Sequence, residues 1–158
     1  MHRALTMTAA LLFATPLLAQ DETEISINDV PENILDVAIN TAPGVTFDRV
    51  SIEVENGVSI YEFEARDHNG NHIEIDVTED GELDEIEMEI DESDLPASVL
   101  QTLNDVAPGF EATYIELSVR AGGAEFVYEF EGRIEGSAVD IEIAENGELL
   151  FISDDMMS

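Results

Sequence analysis

The sequence repeats a set of short motifs about 65 positions apart. Residues 29–35 (Asp-Val-Pro-Glu-Asn-Ile-Leu) are echoed by residues 94–100 (Asp-Leu-Pro-Ala-Ser-Val-Leu), and Ala-Pro-Gly at 42–44 returns at 107–109. A Tyr-Glu-Phe-Glu motif and an acidic Gly-Glu-Leu turn recur as well. Because these motifs stay in register apart from shifts that loop insertions explain, the sequence predicts two copies of one structural unit.

Each unit begins with a helical pattern and continues with a strand pattern. Pro31 suits the first turn of a helix, and apolar residues then recur at helical spacing until Pro43 and Gly44 end the pattern. After the helix the apolar period changes to two. Four alternating segments follow, separated by turn pairs such as Asn56-Gly57, which favours a tight hairpin. Each unit is therefore predicted to contain one helix and four antiparallel strands.

The predicted fold class is α+β, with two tandem helix-plus-four-stranded antiparallel sheet repeats. The alternation gives each sheet one apolar face and one wet face, and the helices are expected to cover the apolar face. The repeats span residues 29–90 and 94–153, joined by a link short enough for the two sheets to lie side by side. Residues 20–28 form a polar lead-in that is predicted to be flexible.

Residues 1–19 are predicted to be a secretory signal peptide. A short basic start is followed by an apolar run of about 15 residues, which is shorter than the roughly 20 that a spanning helix needs. Ala19 offers a small residue at the cleavage site, and no Cys follows that would carry a lipid. The alternative is a membrane anchor. We expect a periplasmic or secreted bacterial protein with no membrane span after cleavage.

Charge restricts the partners of this chain. It has 37 Asp and Glu residues against five Arg and no Lys, for a formal net charge of −32. Such a charge repels nucleic acid and anionic lipid, and it favours cations and basic protein surfaces. The absence of Lys also fits a chain adapted to a saline environment, in which the acidic surface serves solubility alone.

The motifs resemble those of the PepSY and PepSY-like domains. The resemblance rests on the helix, Ala-Pro-Gly, the strand with Tyr-x-Phe-x, the Asn-Gly turn, Ile-Glu-Ile-Asp-Val and the acidic Asp-Gly-Glu-Leu turn, and it covers residues 29–90 and 94–153. These exported domains are related in fold to the β-lactamase-inhibitory protein (BLIP). The resemblance implies a non-catalytic periplasmic or secreted module that binds or restrains proteases or other envelope proteins.

The wet face of the predicted sheets carries many carboxylates. We select Glu62, Glu64, Glu74 and Asp76 as candidate residues for binding a protein partner that is expected to be basic. Like charges directly across neighbouring strands destabilise a sheet, so a cationic partner would relieve the repulsion. Ca²⁺ is an alternative occupant, because it prefers oxygen ligands. The simplest alternative is a solvated face with no ligand, and no cofactor is otherwise expected.

A histidine-flanked turn is the second candidate site. Asp67, His68 and His72 supply two imidazoles and a carboxylate, a set that can hold a metal ion. The loop fails the EF-hand pattern, which requires Gly where His72 stands. The alternative is ordinary turn chemistry with solvent-exposed histidines, and the second unit has no histidine at this turn.

The last predicted strand differs most between the units. Leu149, Leu150, Phe151 and Ile152 are apolar in succession, so a strict alternation would leave one pair outside the core. These four residues are candidate partner-binding residues. The alternative is a strand that is buried on both faces.

Catalytic function is not expected. The chain has no Cys or Lys and neither a GxSxG nor an HExxH motif. The sequence therefore predicts an exported, non-enzymatic protein that binds, regulates or inhibits another envelope or secreted protein. A low-affinity Ca²⁺-binding acidic module and a structural domain of a saline organism remain as alternatives, and the oligomeric state is left open.

Overall fold

Residues 22–120 and 123–153 are described by a computed structural model. The predicted signal peptide and its cleavage site therefore lie outside the described residues. The strands are β1 (Thr23–Glu24), β2 (Phe47–Glu55), β3 (Val58–Arg66), β4 (His72–Thr78), β5 (Leu83–Glu89), β6 (Glu111–Arg120), β7 (Glu125–Ile134), β8 (Ser137–Ala144) and β9 (Leu149–Ile152). The α-helices are α1 (Glu32–Thr41) and α2 (Ala97–Val106), and short 3₁₀ helices lie at Ile27–Asp29 and Glu92–Asp94.

All nine strands form one antiparallel sheet in the order β1 to β9. The prediction of two helix-plus-four-stranded repeats is therefore wrong: the described residues have a single nine-stranded sheet with two short helices. The physical reason is that β5 pairs along its outer edge with β6, from Glu85 opposite Arg120 to Glu89 opposite Glu116. The described part of the predicted lead-in at residues 20–28 contains β1, which pairs with Ser51 and Ile52 of β2.

The two helices cover one face of the sheet. A proline stands at the N-cap of each, Pro31 for α1 and Pro96 for α2, where a missing N–H costs no hydrogen bond. Helix α1 lies against β4, and α2 lies against β8. Ile34 and Ala38 of α1 are buried over one apolar cluster, and Val99 of α2 is buried over another. No helix within the described ranges has the length and apolar character that crossing a membrane would require.

The strand registers separate the two faces of the sheet. Apolar side chains such as Phe63, Ile75 and Ile86 are directly opposite one another on the helix-covered face. We call the other side the open face. Three of its rows cross most of the strands: Ser51, Glu62, Asp76, Glu85 and Arg120; then Arg49, Glu64, Glu74, Glu87 and Ser118; then Glu89, Glu116, Glu129, Glu142 and Phe151.

Candidate functional site

The open face places carboxylates directly opposite one another on adjacent strands. Glu64 is paired with Glu74, and Glu74 is paired in turn with Glu87. Directly opposed side chains in an antiparallel sheet have Cβ atoms about 5 Å apart, a distance at which like charges destabilise the pair. The four predicted partner-binding carboxylates, Glu62, Glu64, Glu74 and Asp76, lie together here on β3 and β4.

Two arginines pair with the carboxylates at either side of this acidic surface. Arg49 on β2 contacts Glu64 and lies 2.5 Å from Glu22 Oε1. Arg120 on β6 has its Nε 2.6 Å from Glu85 Oε1 and its Nη2 2.5 Å from Glu129 Oε1. Its Nη1 also lies 3.8 Å from Glu142 Oε2, so one guanidinium serves carboxylates on three strands.

The carboxylates between the two arginines lack such a partner. Within the described residues, no cationic side chain lies within 4 Å of Glu74, Asp76 or Glu87. Burial raises the pKa of these groups first, and the neighbouring carboxylates raise it further: to about 8 for Glu74, about 9 for Asp76 and about 10 for Glu87. Asp76 Oδ1 is buried and has no hydrogen-bond partner in the described part of the chain.

Two buried serines support the carboxylates from the sheet itself. Ser51 Oγ donates to Glu62 Oε2 at 2.8 Å, and Ser118 Oγ donates to Glu85. Burial nevertheless raises the pKa of Glu62 above its ordinary value. Burial likewise raises the pKa of Glu129 to about 7, although the charge of Arg120 acts in the opposite direction. The open face therefore holds protons that ordinary surface carboxylates release.

The predicted metal residues occupy different environments. Asp67 closes its turn by accepting hydrogen bonds from Asn69 N at 2.7 Å and Asn71 N at 2.9 Å, and His68 is exposed. His72 lies on the open face, with Nε2 3.7 Å from Glu64 Oε2. In the ranges that the structure describes, Asp67, His68 and His72 do not form a cluster of ligand atoms within 4.8 Å of one another.

A different group of carboxylates does come together. Glu85, Glu87 and Glu129 place one oxygen each within 4.8 Å of the others, and in the described ranges this is the one such cluster. The alternation of the strands predicts that these three residues lie on the wet face, but no local pattern groups them. The signal that would have grouped them is the β5–β6–β7 register, which local patterns do not specify.

A bulge resolves the apolar run of the last strand. Ile152 is opposite Ile141 and Leu149 is opposite Ile143, so both follow the helix-covered face, whereas Phe151 is opposite Glu142 on the open face. The register shift between these pairs leaves Leu150 as the extra residue. Leu149 and Leu150 are 38% and 46% exposed, so the strand keeps an apolar surface at the edge of the sheet.

Sequence comparison gives no relative, whereas structural comparison gives several. No family model matches the chain, and no curated protein is significantly similar to it. A BLIP-like protein from Bacteroides fragilis is 17% identical, with 81% of this chain and 88% of that chain covered and a TM-score of 0.59. The chain shares its fold with a BLIP-like protein. The expected relationship to the BLIP fold is thereby confirmed.

Other solved structures give the same result. A DUF2874 family protein from Bacteroides uniformis is 11% identical, with coverages of 78% and 88% and a TM-score of 0.62. A protein from Bacteroides eggerthii described as a "putative periplasmic" protein is 12% identical, with coverages of 78% and 88% and a TM-score of 0.63. That description agrees with the location predicted from the sequence. At these identities the likeness concerns the fold.

Proposed function

We propose that this chain is an exported, periplasmic, PepSY-like protein without catalytic activity, and that its open face binds a cationic surface of another protein. The observation that carries the proposal is the pairing of Glu64, Glu74 and Glu87 across three central strands of a face that neither helix covers. Burial and the neighbouring carboxylates favour the protonated form of Glu74 and Glu87 in the free protein, and lysines or arginines of a partner would stabilise the ionised form.

The dimensions of the open face suit a protein partner. Acidic rows run from β3 to β8, and strands about 4.8 Å apart make this span roughly 24 Å. A standard protein interface buries about 800 Å² on each side, which such a face can supply. Binding would inhibit or regulate the partner where the bound cationic surface includes its active site.

The test is capture from a bacterial periplasmic extract at low salt, with the mature chain immobilised. The open-face variant carries Glu62→Gln, Glu74→Gln and Asp76→Asn. These changes keep side-chain shape and a hydrogen-bond acceptor at each position but remove three carboxyl groups that can ionise against a cationic partner. We expect the captured protein, once purified, to bind this variant at least about tenfold more weakly by calorimetry, and high salt to weaken the parent.

A matched variant controls for net charge. Glu32→Gln, Asp36→Asn and Asp105→Asn remove three exposed carboxylates from α1 and α2, on the other side of the sheet. It should bind like the parent. Equal loss in both variants would show attraction to net charge alone, and capture of nothing at low salt would leave the saline structural domain as the better description.

The second candidate function is weak binding of a divalent cation such as Ca²⁺. The clustered oxygens of Glu85, Glu87 and Glu129 favour it, since hard cations prefer carboxylate ligands. Arg120 already neutralises Glu85 and Glu129, so an ion would have to compete with its guanidinium.

Calorimetry with Ca²⁺ alone tests this candidate. Arg120→Gln should tighten binding, because it releases two of the three carboxylates, and Ca²⁺ should then raise the melting temperature of the variant more than that of the parent. Arg133→Gln, which changes an exposed arginine that donates to Gly136 O, is the matched control. Absence of heat and of any thermal shift in both parent and Arg120→Gln would exclude the candidate.

A further inference from the structure

The outer edge of β9 carries no charged side chain and no proline. Sheet edges usually carry charges, prolines or very short strands that prevent pairing with other chains. At the opposite edge, β1 is two residues long and contains Glu24. Strand β9 consists of Leu-Leu-Phe-Ile, and among the described residues no strand pairs with its outer side.

The same chain shows what such an edge accepts. Strand β5 resembles β9 in its surroundings: each follows a Gly-Glu-Leu turn and each is bulged against the preceding strand, at Leu83 and at Leu149. The outer edge of β5 is filled by β6 in antiparallel pairing. Ile152 occupies in β9 the position that Ile86 occupies in β5, opposite Ile141 and Ile75 respectively, and the outer side of β9 is free within the described ranges.

The direction of the backbone groups at this edge follows from one hydrogen bond. Ser153 N donates inward to Asp140 O at 2.9 Å. Because successive residues of a strand turn their N–H and C=O groups to opposite sides, those of Ile152 point to the free edge. A residue added directly opposite Ile152 would lie on the helix-covered face, whereas its neighbours would lie beside Phe151 and Ser153 on the open face.

Charge determines the side chains that suit those neighbouring positions. On β8, Glu142 lies directly opposite Phe151, and Asp140 lies two residues before Glu142. Arg120 on β6 reaches Glu142 two strands away. An arginine beside Phe151 would be separated from Glu142 by the same number of strands, and it could also stack on the phenyl ring.

We propose that β9 binds an extended segment of a partner protein by antiparallel strand addition, with apolar residues of the segment on the helix-covered face and arginines on the open face. A second copy of the chain is a poor occupant, since each copy carries a net charge of −32. Main-chain hydrogen bonds give such an addition its affinity, and alternate side chains give it specificity. This inference concerns the edge of the sheet and stands apart from binding to the open face.

The probe is a blocked eight-residue peptide of alternating valine and arginine, titrated into the mature chain. Two methylated forms provide matched ligands. Strand addition at Ile152 points the valine N–H groups toward β9 and the arginine N–H groups away from it. Methylation of the valine nitrogens should therefore weaken binding about tenfold or more, whereas methylation of the arginine nitrogens should leave it nearly unchanged.

Hydrogen exchange gives the position of the peptide. The Ile152 amide should become protected from exchange when the unmethylated peptide binds. It should stay unprotected in the presence of the peptide that is methylated at the valine nitrogens. Equal affinity of the two methylated forms, or protection that bypasses Ile152, would overturn strand addition. Equal affinity combined with a loss of binding in the open-face variant would still support binding at the open face, so the two proposals fail separately.

Discussion

Replacing Gly132 by alanine should lower the free energy of unfolding by about 3 kcal/mol. Gly132 lies in β7, opposite Ala112 of β6 and Val139 of β8. A Cβ atom at this position would overlap Phe110 Cζ and the backbone oxygen of Glu111, and it would lie 2.7 Å from Phe110 Cε2. Backbone cannot move aside cheaply in the middle of a sheet. The phenyl ring is itself held edge-on to Phe130, with centroids 6.4 Å apart.

Urea denaturation of four variants checks this prediction: Gly132→Ala, Ala65→Gly, Phe110→Ala and the double variant of Phe110 and Gly132. Ala65 follows the first Tyr-Glu-Phe-Glu motif as Gly132 follows the second, and it is buried and opposite Phe47. Ala65→Gly should cost only about 1 kcal/mol, through a lost methyl group and added chain entropy. The double variant with Phe110→Ala and Gly132→Ala should be less destabilised than the sum of the two single variants. The reason is that the overlap between the new Cβ atom and the phenyl ring is removed, whereas the overlap with the Glu111 oxygen remains. A Gly132→Ala chain as stable as the parent would contradict the close approach.

Local sequence patterns predict the composition of the open face well. The period of two and the Asn56-Gly57 turn determine which side chains of β2 and β3 share a face, since a slip by one residue would move every apolar side chain out of the core. The same reasoning placed Glu62 and Asp76 together, and they are directly opposite each other. Hairpin register is local information, which a sequence contains.

Long-range register is not contained in those patterns. The pairing of β5 with β6 joins strands separated by a link and a helix, and the alternation of each strand is equally compatible with two separate sheets. The three-strand contacts of Arg120 and the cluster of Glu85 and Glu129 depend on this pairing. The bulge at Leu149 and the close approach at Gly132 are likewise set by packing, which leaves no periodic trace in the sequence.

The free energy of unfolding should fall as the pH rises from about 5 to 9. The combined effect of three buried carboxyl groups should be at least about 1 kcal/mol for each pH unit. Burial raises the pKa of Glu74 to about 8, of Asp76 to about 9 and of Glu87 to about 10, whereas in the unfolded chain these groups titrate near their ordinary values. Between the unfolded and folded pKa values the folded state binds more protons. The free energy of unfolding is therefore highest in mild acid and decreases as the pH approaches the pKa values of these groups in the folded state.

Glu87→Gln separates this effect from general acidity. Glu87 is faced by Glu74 and Asp76 from β4, by Glu85 on its own strand and by Glu116 from β6. The amide cannot ionise, so the variant should be more stable than the parent at pH 8 by about 1–2 kcal/mol and nearly equal to it at pH 5. Asp36→Asn on the exposed side of α1 removes the same charge and should leave the slope unchanged. Parallel stability curves for Glu87→Gln and the parent would contradict the prediction.

Binding to the open face should have the opposite pH dependence. Cationic groups of a partner favour the ionised form of Glu74, Asp76 and Glu87, so association must release the protons that the free protein holds at neutral pH. The affinity should accordingly rise from pH 6 to pH 9 while the stability of the free protein falls. Calorimetry in two buffers of different ionisation enthalpy measures the released protons directly. A partner that binds without proton release contacts the molecule away from these three carboxylates.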